Sequence, residues 1–310
     1  MSSPSTIFIC GATGTQGSAM ITNLQSSHPT KVKIHSITRD LSTPRSKALQ
    51  AAGVTMFKGD FNDEPSIRNA LAGCTALFLN LSPNLGDLTQ EPSQAKRIIS
   101  VAKDLGINHI VYSSALVTNP NHCKYWDASS LAGNIVLAKN EVEDIVRSAG
   151  IRYTILRPGN FMTNFLAPVV GFQYPGLVEN GKFTTAFTRD TVIPMVDPRD
   201  IGKFGAAALL DPERYNGKDI AIASELVTLD GILGSLSQVT GRELKADYLG
   251  QEEIDAQVKS NPFVGAQLMM RDVVDEVDVE YMKSFGIEMG SFAEFLEREE
   301  KWVKETFVRA

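Results

Sequence analysis

The sequence predicts an α/β fold, a doubly wound parallel sheet followed by a smaller, mostly helical lobe. Three observations carry this reading. The first half repeats one pattern, a short β-branched apolar run, a turn, an amphipathic stretch and a closing glycine. The first of those runs opens into glycines spaced three apart at the start of a helical pattern. The rhythm then loosens after Arg157-Pro158, where glycine, proline and aromatic residues become frequent. At 310 residues, 43% apolar and 21% charged, the chain can bury one large core or two modest ones without staples.

Taken in order, the apolar runs place strands at Thr6–Cys10, Val32–Thr38, Val54–Lys58, Ala76–Leu81, His109–Ser113 and Tyr153–Leu156. Between them, the stretch 92–105 sets Ala95, Ile98, Ile99, Ala102 and Leu105 on one helical face, and 137–149 does the same with Ala138, Val142, Ile145 and Ala149. Gly53, Gly73, Gly106 and Gly150 each follow such a stretch, where a helix would end in a left-handed turn. Strands alternating with helices at this spacing imply parallel pairing through right-handed crossovers, with a ligand crevice at the carboxyl ends of the strands. Beyond Pro158 come a Gly/Pro/aromatic segment (Gly159–Phe187), a strand at Thr191–Val196, a helix at Asp200–Leu210, a strand at Asp219–Ile222, and then mostly helical sequence. The expected division is residues 1–158 and 159–310, with 191–222 returning to the large sheet.

Charge divides the same way. Residues 1–158 carry 15 Lys+Arg against 11 Asp+Glu, a balance of +4, and residues 159–310 carry 15 against 25, a balance of −10. A mildly basic first half suits a phosphate-bearing ligand; an acidic second half without a Lys/Arg cluster argues against direct nucleic-acid binding. The three cysteines, Cys10, Cys74 and Cys123, are odd in number and widely spaced, and the four histidines form no ligand pattern with them. Reduced thiols in the cytoplasm and no structural metal are expected. No apolar run approaches a membrane span, and the opening MSSPSTIFIC lacks a basic segment, so neither membrane insertion nor export is expected.

The chemistry lies at the strand ends. Ile7-Phe8-Ile9-Cys10-Gly11-Ala12-Thr13-Gly14-Thr15-Gln16-Gly17 runs from a buried strand through a glycine turn into a helix. Gly11 allows the tight turn, Gly14 lets a pyrophosphate approach the backbone, and Gly17 lets the helix pack close to the strand; the helix N-terminus supplies free N–H groups. This is a dinucleotide cradle. The second strand ends Ile37-Thr38-Arg39, a base where an acid would hold a ribose 2′-hydroxyl, with Ser42, Thr43 and Arg45 nearby. Arg39 favours the 2′-phosphate of NADP(H), unless it only pairs with Asp40. Asp60 and Phe61 close the third strand, where Asp60 either accepts the adenine amino group or caps a helix. Asn80 and Ser82 close the fourth, beside the cofactor path. Ser113 and Ser114 close the fifth, where Ser114 is a candidate catalytic hydroxyl beside the nicotinamide.

Together GATGTQG, TRD, GDFND, HIVYSSA, AKNEVEDIVRSAGIRYTILRPGNFMTN and VIPMVDPRDIGKFGAAAL resemble an NmrA-type member of the atypical short-chain dehydrogenase/reductase superfamily, convincingly over residues 5–240. The resemblance implies a Rossmann NADP(H)-binding domain with a small helical lobe, in a family that holds both redox-sensing co-regulators and metabolite-modifying enzymes. The superfamily's Tyr-x-x-x-Lys falls on Ile135-Val136-Leu137-Ala138-Lys139, so the lysine is kept and the tyrosine is not. Lys139 is thereby expected to hold the nicotinamide ribose, or to handle the proton itself. Pro158, Asn160 and Phe161 carry over as cofactor-flanking residues.

The long connection Val117–Gly133, with His122, Lys124, Tyr125, Trp126 and Asp127, is a candidate lid. Within it Tyr125 is the first substitute proton donor, and Tyr125 and Trp126 are candidate substrate walls, alongside Phe165, Phe172 and Tyr174. Phe263, Met269 and Met270 are candidates to close that site, although methionine at helical spacing also suits a core. No G-x-S-x-G, G-x-x-x-x-G-K-[ST] or H-E-x-x-H motif is present. Two functions stay open. One is an NADP(H)-dependent oxidoreductase acting on a bulky apolar or aromatic metabolite, with coupled cyclisation or isomerisation as a variant. The other is a non-catalytic NADP(H) sensor, cytoplasmic or nuclear, acting on a protein partner through the acidic lobe and its Ser291–Val308 helix.

Overall fold

A computed structural model describes residues 5–27, 32–117, 123–271 and 273–307. The chain opens as β1 (Ser5–Ile9), α1 (Thr15–Ser27), β2 (Val32–Thr38), α2 (Pro44–Ala51), β3 (Thr55–Lys58), α3 (Glu64–Leu71), β4 (Ala76–Leu79), α4 (Gln90–Asp104), β5 (His109–Ser113), α5 (Leu131–Ser148) and β6 (Arg152–Pro158). It continues as β7 (Asn160–Phe161), α6 (Val169–Gln173), α7 (Leu177–Asn180), β8 (Lys182–Thr185), β9 (Val192–Val196), α8 (Pro198–Leu210), α9 (Pro212–Tyr215), β10 (Lys218–Ile222) and β11 (Glu225–Thr228). The remainder is α10 (Leu229–Thr240), β12 (Lys245–Tyr248), α11 (Gln251–Gln257), α12 (Pro262–Met270), α13 (Val279–Lys283), α14 (Phe292–Arg298) and α15 (Glu300–Phe307).

Two compact units result, and neither is continuous in sequence. The first comprises Met1–Ala115, Leu137–Arg157 and Ile201–Ile220; the second comprises Leu116–Val136, Pro158–Asp200 and Ala221–Ala310. One break falls between Arg157 and Pro158, where the expected division was after Pro158, and the connection after β5 groups with the second unit.

In the first unit the alternating pattern builds a seven-stranded sheet of order β10-β6-β5-β4-β1-β2-β3. Neighbours from β6 to β3 pair in parallel, Ile7 lying beside Ile34 on one side and Ala76 on the other. The chain winds outward from β1 to β3, then restarts at β4 on the other side of β1. That reversal opens a crevice at the carboxyl ends of β1 and β4. The helical faces expected from periodicity are buried: Ala95, Ile98, Ile99 and Ala102 of α4 and Val142 of α5 join Phe8, Leu77 and Ile110 in the core. The glycines after α2, α3, α4 and α5 all take left-handed φ values between 72° and 85°. On β5, His109 Nε2 donates to Thr154 Oγ1 at 3.0 Å, and that hydroxyl donates to the Tyr215 carbonyl. Burial first, then the Arg152 charge, lower His109 from the ordinary imidazole value to about 4 against the opposing Glu213 charge, so the ring is neutral.

The second unit has its own core of Phe165, Leu177, Phe183, Ile232, Phe292, Phe295, Val303 and Phe307. Helices dominate it, with short strands among them. One strand was expected elsewhere: Thr191–Val196 does not return to the large sheet, because β9 has both edges filled by β11, antiparallel, and β7, parallel. Of residues 191–222, the strand that returns is β10. The expected Ser291–Val308 helix is two helices meeting at Glu299, with Val308 outside the described residues. Its inner face is committed to the core through Phe292, Phe295, Leu296, Val303 and Phe307. Among the described residues no helix is long and apolar enough to cross a membrane, and no cluster of His, Cys, Asp and Glu could hold a metal ion.

Candidate functional site

The glycine turn after β1 is built as its spacing requires. Gly11 sits at φ +65°, where a side chain would be strained, and its carbonyl accepts from Gly14 N at 2.9 Å. A Cβ on Gly17 would overlap the Gly11 carbonyl, so α1 approaches β1 only because residue 17 is glycine. No acidic residue stands in the first turn of α1, leaving its N–H groups and partial positive charge open to an anion.

A cleft of about 320 Å³ extends from this turn along the carboxyl ends of β2, β3 and β4. Its walls include Gly11, Thr13, Thr38, Arg39, Asp60, Phe61, Asn80 and Ser82, so seven of the expected cofactor residues are brought together, with Thr38 beside them. Arg39 is exposed and makes no ion pair with another described residue. Asp40 is not its partner: the carboxylate accepts from the Ser42 hydroxyl at 2.6 Å and the Ser42 N–H at 2.8 Å, and these bonds hold it below the usual carboxylate range. Arg45 reaches back from α2 to donate to the Thr13 carbonyl at 2.7 Å. Asp60 is not the helix cap either. Asp63 caps α3, while Asp60 Oδ1 accepts the Asn62 N–H at 2.8 Å at the cleft wall.

Deeper along the same strand ends, three expected residues form one chain. Ser113 Oγ donates to Gln16 Oε1 at 2.6 Å, and Gln16 Nε2 donates to Asn80 Oδ1 at 3.2 Å. Lys139 Nζ donates to Glu91 Oε1 at 2.6 Å and to the Leu81 carbonyl at 3.1 Å. Glu91 was not singled out from the sequence, where a Gln-Glu-Pro helix start looks like solvated polar residues. Ser114 is buried, its hydroxyl has no hydrogen-bond partner among the described residues, and it does not line the cleft. Burial works to raise the Glu143 carboxyl, but the hydrogen bonds from Arg157 and the charges of Arg157 and Arg147 outweigh it and hold the group low. Burial pushes the Cys10 thiol up to about 12, against a backbone bond at Asn80, so this cysteine at the strand end is no nucleophile.

The remaining candidates belong to the second unit. Pro158 is buried and Phe161 half-buried, while Asn160 donates to the Tyr174 hydroxyl at 3.1 Å and accepts from Asn164 at 3.2 Å. Two expected substrate walls are corrected here. Phe165 and Tyr174 stack on each other at 4.2 Å in the core, because both stand on the inner side of the segment that closes it. Phe172 remains outside, 61% exposed and edge-on to Phe263 at 5.1 Å. Met269 is buried, and Met270 packs on the core, so neither presents a free wall. The Tyr125 ring has Lys124 at 5.4 Å and Arg271 at 5.6 Å from its centre, and Arg271 Nε donates to the Ala186 carbonyl at 2.7 Å. Trp126 is half-buried beside it in sequence, Asp127 closes a turn onto Ser129, and His122 lies outside the described residues.

Known proteins agree with this geometry. Residues 3–299 match the NmrA-like family. Quinone oxidoreductase 2 of Escherichia coli K12 is 29% identical over 274 residues, covering 88% of this chain and 87% of that protein. A (4-alkanoyl-5-oxo-2,5-dihydrofuran-3-yl)methyl phosphate reductase of Streptomyces griseus is 27% identical over 247 residues, 79% of this chain and 77% of its own. Among solved structures, an NADPH-dependent quinone oxidoreductase from Escherichia coli complexed with NADPH superposes with a TM-score of 0.71 at 25% identity, over 94% of this chain and 99% of that one. NmrA, a negative transcriptional regulator, shares the fold at a TM-score of 0.71 and 21% identity, over 99% of this chain and 96% of its own. The chain, a Rossmann-like α/β protein with a glycine-turn cleft at its sheet reversal, belongs to the NmrA-like family.

Proposed function

We propose that this protein is an NADP(H)-dependent oxidoreductase that reduces a bulky apolar or aromatic acceptor, with quinones as the first class to test. The observation that supports it most is the cleft itself, which has a glycine cradle that a Cβ would fill at one end and an unpaired Arg39 on its wall. The residues present fit the cofactor. Gly11 and the start of α1 offer N–H groups to a pyrophosphate, Arg39 offers a guanidinium to a 2′-phosphate, and Asp60 offers a carboxylate oxygen to the adenine amino group. The Ser113–Gln16–Asn80 chain holds Asn80 at the cleft wall, and Lys139 donates to the carbonyl of Leu81, which lines the cleft as well.

When bound, NADPH supplies a hydride. The protein's part is to hold the acceptor in an apolar place and to manage one proton. Ile135, one helical turn before Lys139, can donate none. A quinone suits that deficit, since the oxyanion left after hydride addition is a phenolate-type base that water protonates without a strong acid beside it. Ile135 also supports a second reading, an NADP(H) sensor without turnover that signals to a protein partner.

The test is to follow reduced-nicotinamide absorbance with purified protein, NADPH and a panel of quinones, aromatic ketones and azo dyes. Saturable consumption that depends on the acceptor is expected. Tight NADPH binding with no consumption, and at least about tenfold discrimination between the redox forms, would favour the sensor. Failure to bind either form would overturn both readings.

A further inference from the structure

The cradle does not account for a buried charge pair at the ends of β4 and β5. Glu91 and Lys139 are 1% and 7% exposed, yet they form an ion pair at 2.6 Å. Tyr112 directs its hydroxyl at the same Glu91 oxygen at 3.5 Å. Burial, then the charges of Glu91 and Glu143, push the Tyr112 phenol up, so it stays protonated and acts as a donor. The other carboxylate oxygen, Glu91 Oε2, is buried with no hydrogen-bond partner among the described residues.

An apolar pair of similar volume would hold these elements together at less cost, because two buried charges must first leave water and one oxygen here recovers no donor. A use for the charges is therefore to be sought outside stability. The cleft supplies it. Leu81 lines the cleft and gives its carbonyl to Lys139, while Gln90, next to Glu91, lines it too. Two of the ammonium's three N–H groups are occupied by Glu91 and Leu81, which fixes the direction of the third.

We propose that Glu91 is a positioning residue that fixes Lys139 behind Leu81 of the cleft wall, so that the remaining ammonium N–H meets a ribose hydroxyl of the nicotinamide half of NADP(H). This rests on the NADP(H) reading above. Glu91 acts through the lysine, and the adenosine half of the cofactor, held at Arg39 and Asp60, is outside its reach.

Calorimetry with NADPH and with adenosine 2′,5′-bisphosphate, on the wild-type chain, E91Q, K139Q and E91Q/K139Q, tests it. E91Q should weaken NADPH about tenfold, as expected for a hydrogen bond to a charged group, and leave the bisphosphate within about twofold. The losses from E91Q and K139Q should not add, since both act through one contact. Glu91→Asp, which keeps the charge, should recover most of the NADPH affinity. An E91Q chain that binds NADPH like wild type, additive losses, or a parallel fall in bisphosphate affinity would each overturn the proposal. If E91Q does not fold, K139Q and E91Q/K139Q decide, equal NADPH affinities supporting the proposal and a further loss overturning it. Wild type that binds neither nucleotide would instead overturn the NADP(H) reading.

Discussion

Arg39 offers the sharpest handle on cofactor choice. Its guanidinium has no ion-pair partner among the described residues, because Asp40 is taken up by Ser42, and it stands on the cleft wall with Asp60 and Phe61. Arg39→Ala therefore removes charge-assisted contacts to a 2′-phosphate without breaking any contact inside the fold. Such a bond contributes about 1.5–3 kcal/mol, and exposure to water argues for the lower end, so NADPH should bind about 10- to 30-fold more weakly. NADH lacks the phosphate and should change by less than about twofold, since only the general stacking surface is lost. Arg45 does not compensate fully, being tethered to the Thr13 carbonyl. Fluorescence titration of both reduced nucleotides, at low and moderate salt, reads the two affinities. The reasoning is refuted if NADPH and NADH weaken together, or if NADPH is unaffected.

Other outcomes follow from the same geometry. Gly17→Ala sets a Cβ against the Gly11 carbonyl, so it should displace α1 and weaken NADPH by about 100-fold, while thermal melting falls by the amount typical of an overpacked contact, about 1–3 kcal/mol; unchanged binding would contradict the cradle. The unfolded chain protonates His109 near its ordinary value and the folded chain only near 4, so its contribution is lost as pH falls between those values, by about 3 kcal/mol in all. Urea melts of wild type and His109→Gln at pH 7 and pH 5 should show the wild type losing about 2 kcal/mol more over that step, and equal losses would refute a neutral, buried ring. Tyr125→Phe should leave quinone turnover within about threefold if water supplies the proton; a fall of about 100-fold would make Tyr125 the acid after all.

The sequence carried much of this because its signals were local. The βα repeat, the helical faces of α4 and α5 and the glycines at helix ends each lie within one turn or one stretch, and so does the cradle from Gly11 to Gly17. Strand ends were read to within two residues, β4 stopping at Leu79 rather than Leu81 and β6 running on to Pro158 rather than Leu156. What escaped was pairing across distance. Glu91 and Lys139 are 48 residues apart and meet only because α4 and α5 belong to successive crossovers of one parallel sheet. Thr191–Val196 was visible as a strand, yet apolar alternation does not name the neighbour, and β7 and β11 claimed both its edges. Likewise, an aromatic-rich segment announces burial without saying which rings close a core and which face outward. Phe165 and Tyr174 went inward, and Phe172 did not.

Titrating the wild-type chain with NADPH and NADH under identical conditions tests the central claim most directly, that the glycine-turn cleft with its free Arg39 is an NADP(H) site. Saturable one-to-one binding of NADPH, at least about tenfold tighter than NADH, is the predicted result. Equal affinities, tighter NADH, or no binding of either nucleotide would contradict it.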